Sequence, residues 1–163
     1  MKKYSSFSGT VSMIQDYSTN PNQEFKGCYQ LMSVVIGDGS IVNFVIGPTT
    51  YFLDHVRVSI GDRVTALYDA NAPALLIYPP QYQALIVVKD HPYQHVKVDY
   101  FNSQLVSSDG QLKLNISHST PILLPNNQFF TANPSNHHLL VVYSSATMSI
   151  PAQTTPNKII VMC

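Results

Sequence analysis

The feature that most constrains this chain is one pattern of short strands and turns that runs through it twice. Asp38-Gly39 recurs as Asp109-Gly110, 71 positions on, and the apolar residues around it recur with it. Tyr29 falls on Tyr100, Val34-Val35 on Leu105-Val106, Ile41 on Leu112, Val45 on Ile116, and Tyr51-Phe52-Leu53 on Ile122-Leu123-Leu124, with no gap. A four-residue insertion in the second half then moves the offset to 75. That offset places Val64-Thr65-Ala66-Leu67-Tyr68 on Leu139-Leu140-Val141-Val142-Tyr143, and Ala84 to Val88 on Ile159 to Cys163. A repeat of this kind decides fold assignment before any local reading does. The 163 residues are therefore expected to be two copies of one small module, 1–89 and 90–163.

Each copy reads as β. The apolar runs are short, rich in Val and Ile, and separated by Gly, Pro, Asn and Asp, and no long 3.6-residue period appears. In the first copy strands are expected near Phe7 to Gln15, Cys28 to Ile36, Ser40 to Ile46, Arg63 to Tyr68 and Gln83 to Lys89. Asp38-Gly39 and Asp109-Gly110 read as two-residue type I′ hairpins, because those residues tolerate positive φ. Thr49 to His55 sits between the third and fourth strands, where a five-stranded OB barrel carries its helix or crossover. The architecture thus resembles an all-β pair of tandem, OB-like five-stranded barrels. The second copy has a poorer first strand, within Tyr93 to Val98, and lacks the Tyr17 to Gly27 loop, which leaves room for an incomplete barrel. The segments Tyr68-Asp69-Ala70-Asn71-Ala72-Pro73 and Ile77-Tyr78-Pro79-Pro80-Gln81-Tyr82 are also similar to a bacterial protein family with no assigned function. That resemblance implies no catalytic residues.

Charge narrows the function classes. Nine Lys plus Arg balance nine Asp plus Glu, so no net field gathers phosphates or anionic lipid, and nucleic acid is a poor partner. Charged residues are 11% of the chain, and a neutral, weakly charged surface favours self-association into a homo-oligomer. No apolar run approaches the ~18 residues of a membrane span, and Met1-Lys2-Lys3 leads into no apolar core. A soluble, cytoplasmic protein is expected, or a secreted one if Met1 is not native.

No catalytic constellation emerges. There is no Gly-x-Ser-x-Gly turn and no Gly-rich phosphate loop, and Cys28 lies in an apolar run that favours a packed, inert thiol. The chain is expected to be no enzyme and to need no cofactor. The best metal candidate is Asp90-His91-Pro92-Tyr93-Gln94-His95 with Asp99, in which His91, His95 and Asp99 have ligand chemistry. Pro92 keeps a helix from aligning the two imidazoles.

Binding is the better expectation. OB-like barrels take ligands on strands two and three, flanked by the loops between strands one and two and between four and five. Here those loops carry Asn20 and Asn22 on one side and Asn71, Tyr78 and Tyr82 on the other, with Tyr29 opening the second strand. Tyrosine rings cover apolar faces while amides donate and accept hydrogen bonds, which suits neutral polar ligands such as carbohydrate or peptide. Finally, the offset of 71 sets Ile41, Asn43 and Val45 on the face of Leu112, Leu114 and Ile116. Val42, Phe44 and Ile46 then form an apolar outer face where the second copy has Lys113, Asn115 and Ser117. Such a face needs a cover: the other copy, a second chain or a ligand.

Overall fold

The computed structural model describes residues 2–18, 27–73 and 76–163. These are all-β, with no α-helix among them, and they divide into two compact units, Met1–Asp90 and His91–Cys163.

The first unit holds β1 (Tyr4–Asp16), β2 (Gln30–Ile36), β3 (Ile41–Ile46), β4 (Tyr51–Phe52), β5 (Arg63–Asp69), β6 (Gln81–Gln83) and β7 (Ile86–Lys89), with a 3-10 turn at Leu53–His55. They form one sheet in the order β4-β7-β5-β1-β2-β3-β6. The long β1 serves two neighbours: its first half pairs with β5 and its second half with β2, both antiparallel. A register shift between Val11 and Met13 places Ser12 as an extra residue, so the inward series Phe7, Gly9, Val11 resumes at Ile14. β6 lies parallel to β3, and β7 antiparallel to β5. Between them Ala84 N–H donates to Val45 O (3.0 Å) and Leu85 N–H to Leu67 O (2.8 Å), so one stretch of chain bonds to both flanks of the sheet.

Inside, Val11, Met32, Val34, Val42, Phe44, Val64, Ala66, Ala84 and Val87 are buried together. Here the expected face of β3 is reversed. Val42 and Phe44 belong to this core, Ile46 packs partly against it, and Ile41 is the residue turned to solvent. The apolar face made by Val42, Phe44 and Ile46 is thus covered by its own unit and asks for no external partner. The hairpin explains the reversal. Gly39 N–H donates to Ile36 O (2.9 Å) and Ile36 N–H to Ser40 O (3.0 Å), which encloses three residues, 37–39, with positive φ at Gly39 and not at Asp38. This is a type I turn with a left-handed glycine rather than a two-residue type I′ turn.

The second unit holds β8 (His95–Phe101), β9 (Leu112–Leu114), β10 (Ile122–Leu123), β11 (His137–Tyr143), β12 (Ala152–Thr154) and β13 (Lys158–Met162). Four of them form a sheet in the order β10-β13-β11-β8, and β12 pairs parallel with β9. Phe101, Leu112, Leu114, Leu139, Val141, Ile159 and Val161 make its core. Its hairpin encloses four residues, since Gly110 N–H reaches Ser107 O (2.9 Å) and Ser107 N–H reaches Leu112 O (2.8 Å). One residue more in the turn flips the strand that follows it, so the two strands do not share an offset of 71.

Asp109 organises that turn. Burial opposes its ionisation, but hydrogen bonds from Lys97 Nζ (2.6 Å), the Ser107 hydroxyl (2.6 Å) and Gln111 N–H (3.0 Å) outweigh it and hold the carboxyl at about 2. Because the folded value lies below the unfolded one of ~3.9, the charged group adds stability that is fully present above the unfolded value and lost as pH falls through the folded one. The gap in denaturation midpoint between wild type and Asp109→Asn should stay level down to about pH 5 and shrink between about pH 4 and pH 2. A gap that persists unchanged at about pH 2 contradicts this assignment.

Candidate functional site

In the first unit the strand pattern brings four tyrosines to one place. Along β5 the inward series is Val64, Ala66, Tyr68, and along β6 and the residues after it Tyr82, Ala84. Both series end in a ring because the core ends there. Tyr68 and Tyr82 stack at 4.0 Å between centroids, with Phe7 beside them at 5.8 and 5.9 Å and Phe44 beneath at 6.3 and 6.2 Å. Burial, and then the neighbouring Tyr82 hydroxyl, push the Tyr68 phenol above its usual value, partly offset by a hydrogen bond with Ser5.

These rings stand at the edge of a groove of about 730 Å³ that is also lined by Tyr17, Tyr29, Val45, Gln81 and Gln83. Gln81 Nε2 donates to the Tyr17 hydroxyl (2.9 Å), which ties the end of β1 to β6. Tyr29 lies against Gly47, where a Cβ would come within 2.9 Å of its ring, so the absence of a side chain at 47 is what seats the ring. Among the described residues Lys2 and Asp69 are the groove's charged lining, one of each sign. Asp69 is held below the ordinary carboxylate range by N–H donors from Lys3 (3.0 Å) and Asn71 (2.9 Å), which makes it a weak proton acceptor.

Of the expected binding residues, Tyr29 and Tyr82 line this groove. Asn71 lies between the lining residues Ala70 and Ala72. Tyr78 is 83% exposed and is not among the lining side chains. Asn20 and Asn22 lie outside the described residues. Tyr17 and Tyr68 escaped sequence reasoning. For Tyr68 the signal was available, since it continues the alternation of Val64 and Ala66.

The other candidates are dispersed. The His95 ring lies tilted near that of Tyr143 (5.4 Å between centroids), and the Asp99 carboxylate accepts from Tyr100 N–H (2.8 Å) and the Ser108 hydroxyl. Among the described residues no group of three or more His, Cys, Asp or Glu is placed to hold a metal ion, so His91, His95 and Asp99 do not converge. Cys28 is exposed ahead of β2 rather than packed within a strand, because the ladder begins only at Gln30. No helix among the described residues is long and apolar enough to cross a membrane. No family model, curated protein or solved structure matches the chain.

Proposed function

We propose that the protein is a binding module rather than an enzyme, and that the tyrosine groove of the first unit takes a neutral polar ligand with apolar faces, carbohydrate or peptide. The observation that carries this reading is the convergence of Tyr17, Tyr29, Tyr68 and Tyr82 on one open groove with two glutamines among them. Rings give contact area at low entropic cost, and amides fix orientation. Among the described lining residues the charges of Lys2 and Asp69 offset each other, which suits a neutral ligand better than a phosphate chain.

The reading includes an OB-like arrangement for each unit and a common origin for both. In the first, the order β1-β2-β3-β6 with β7-β5-β1, a parallel β3 and β6, and the double bonding of Ala84 and Leu85 support a small five-stranded barrel. In the second, β8-β11-β13-β10 repeats the pairing of β1-β5-β7-β4, and β9-β12 repeats β3-β6. One detail recurs as well. Thr50 Oγ1 accepts from Gly47 N–H and donates to Ala84 O, while Thr120 Oγ1 accepts from Ser117 N–H and donates to Pro156 O. Leu105 to Ser107 stands where β2 would be, joined to its neighbours by isolated bridges.

The test is a screen of the full chain against glycan and peptide arrays. A true ligand should lose about tenfold or more in affinity on Tyr29→Ala and keep it on Tyr93→Ala, an exposed tyrosine of the second unit. Hits that ignore Tyr29, or no hits at all, reject the groove as the binding site.

A further inference from the structure

Hydrogen-bond parity along β6 says more about the ligand. Asn43 N–H donates to Pro80 O (2.8 Å) and Ala84 N–H to Val45 O (3.0 Å), so in this parallel ladder Pro80, Tyr82 and Ala84 turn their main chain to β3. Gln81 and Gln83, both of which line the groove, therefore turn theirs the other way. Among the described residues neither backbone has a partner on that side. The second unit shows what fits such a seam. There Ala152 N–H donates to Gln111 O and Thr154 O accepts from Asn115 N–H, so the intervening Gln153 faces away from β9. Its carbonyl accepts from Thr147 N–H (2.9 Å), and its N–H donates to Thr147 Oγ1 (2.9 Å). The chain's own Thr147 takes that seam in the second unit, and among the described residues of the first unit no backbone group does.

We infer that the groove of the first unit binds an extended peptide by strand addition to the outer edge of β6, the ligand exchanging main-chain hydrogen bonds with Gln81 and Gln83 and laying alternate side chains over the tyrosine rings. This rests on the groove being the binding site, and it selects peptide over carbohydrate. A sugar has hydroxyls for the tyrosines and glutamine amides, but nothing in its chemistry calls for alternating N–H and C=O groups spaced at ~3.3 Å per residue, which is what a strand edge offers. Sequence selectivity is expected at every second ligand residue, because the intervening side chains point away from the rings.

A random heptapeptide library displayed on phage, panned on the full chain, supplies the probe, and the best peptide is resynthesised with single N-methyl groups at each position. N-methylation removes one N–H and leaves the side chain. Losses of about tenfold at alternate positions, with little change between them, are the expected result. Gln83→Pro, which deletes one outward donor at an edge where proline is tolerated, should weaken the same peptide by about as much while Tyr29→Ala weakens it too. Should that variant fail to fold, the N-methyl series on the wild-type chain still decides. Peptides that depend on Tyr29 but tolerate every N-methyl group overturn strand addition and leave the groove standing. Tyr29-dependent glycans with no peptide hits do the same. An absence of any Tyr29-dependent ligand removes both the groove and the strand.

Discussion

Phe44→Ala is expected to destabilise the first unit by about 3–5 kcal/mol, within the range for a large aromatic removed from a fixed cavity. Phe44 has no exposed surface, and it sits between the aliphatic core of Val11, Met32, Val34 and Val87 and the aromatic trio of Phe7, Tyr68 and Tyr82. The backbone around it is pinned on both sides, since β3 pairs with β2 and with β6, so the hole has little room to collapse. A loss of that size is a large share of the ~5–15 kcal/mol that holds a domain together. Amide hydrogen exchange offers a readout specific to the unit. Protected amides of β2, β3 and β5 should exchange roughly 10²- to 10⁴-fold faster, while those of β11 and β13 report separately on the second unit. Phe44→Asp should be worse still, because it buries an unpaired carboxylate. If Phe44 instead lay on an outer face, the aspartate variant would keep its exchange protection and change only the solution mass.

The contrast between those two outcomes marks where sequence reasoning stopped. Strands and turns were legible because Gly, Pro, Asn and Asp punctuate short Val- and Ile-rich runs, and the observed β1, β3 and β5 lie within a few residues of their expected bounds. Facing was not legible in β3, which is apolar at 41, 42, 44, 45 and 46 and so satisfies either side of a sheet. Asn43 was the available clue. It shares a face with Ile41 and Val45 and accepts from the Ser33 hydroxyl (2.6 Å), a role for a residue outside the apolar core. The alignment overruled it by assuming that two Asp-Gly turns of the same composition have the same length, and they enclose three and four residues. The groove was half legible. Loop composition pointed to Tyr82, and the start of the second strand to Tyr29, but Tyr17 and Tyr68 stand at the ends of β1 and β5, and only the approach of those strands to β6 brings them there. The strand edge at Gln81 and Gln83 could not be read at all, because it depends on which neighbour β6 chooses, a non-local pairing that no local pattern encodes.

Gly9→Ala should rival Phe44→Ala in cost although it adds a single methyl group. Gly9 is the residue of β1 that pairs with Val64 of β5 on one side and Ile36 of β2 on the other, so both neighbouring ladders meet there. A Cβ at Gly9 would stand 2.1 Å from the Val35 carbonyl oxygen, 2.8 Å from the Val35 carbonyl carbon and 2.8 Å from Val34 Cγ1. Two of those three atoms are backbone, so no rotamer change relieves the contact. β1 and β2 must separate, or β1 must shift at its bulge, and either movement breaks ladder bonds that bury the core. The expected loss is about 3 kcal/mol or more, at the upper end for an added group in a packed interior. The damage should begin at the β1–β2 ladder and spare the second unit, so exchange at Thr10, Val11, Val34 and Val35 ought to accelerate more than at β11. Gly39→Ala provides the comparison: its φ of +85° strains any side chain, yet nothing lies within 4 Å of the added atom. Such a change costs on the order of 1 kcal/mol from backbone conformation alone. A Gly9→Ala variant as mild as Gly39→Ala would mean that β1 and β2 do not approach as closely as their pairing requires.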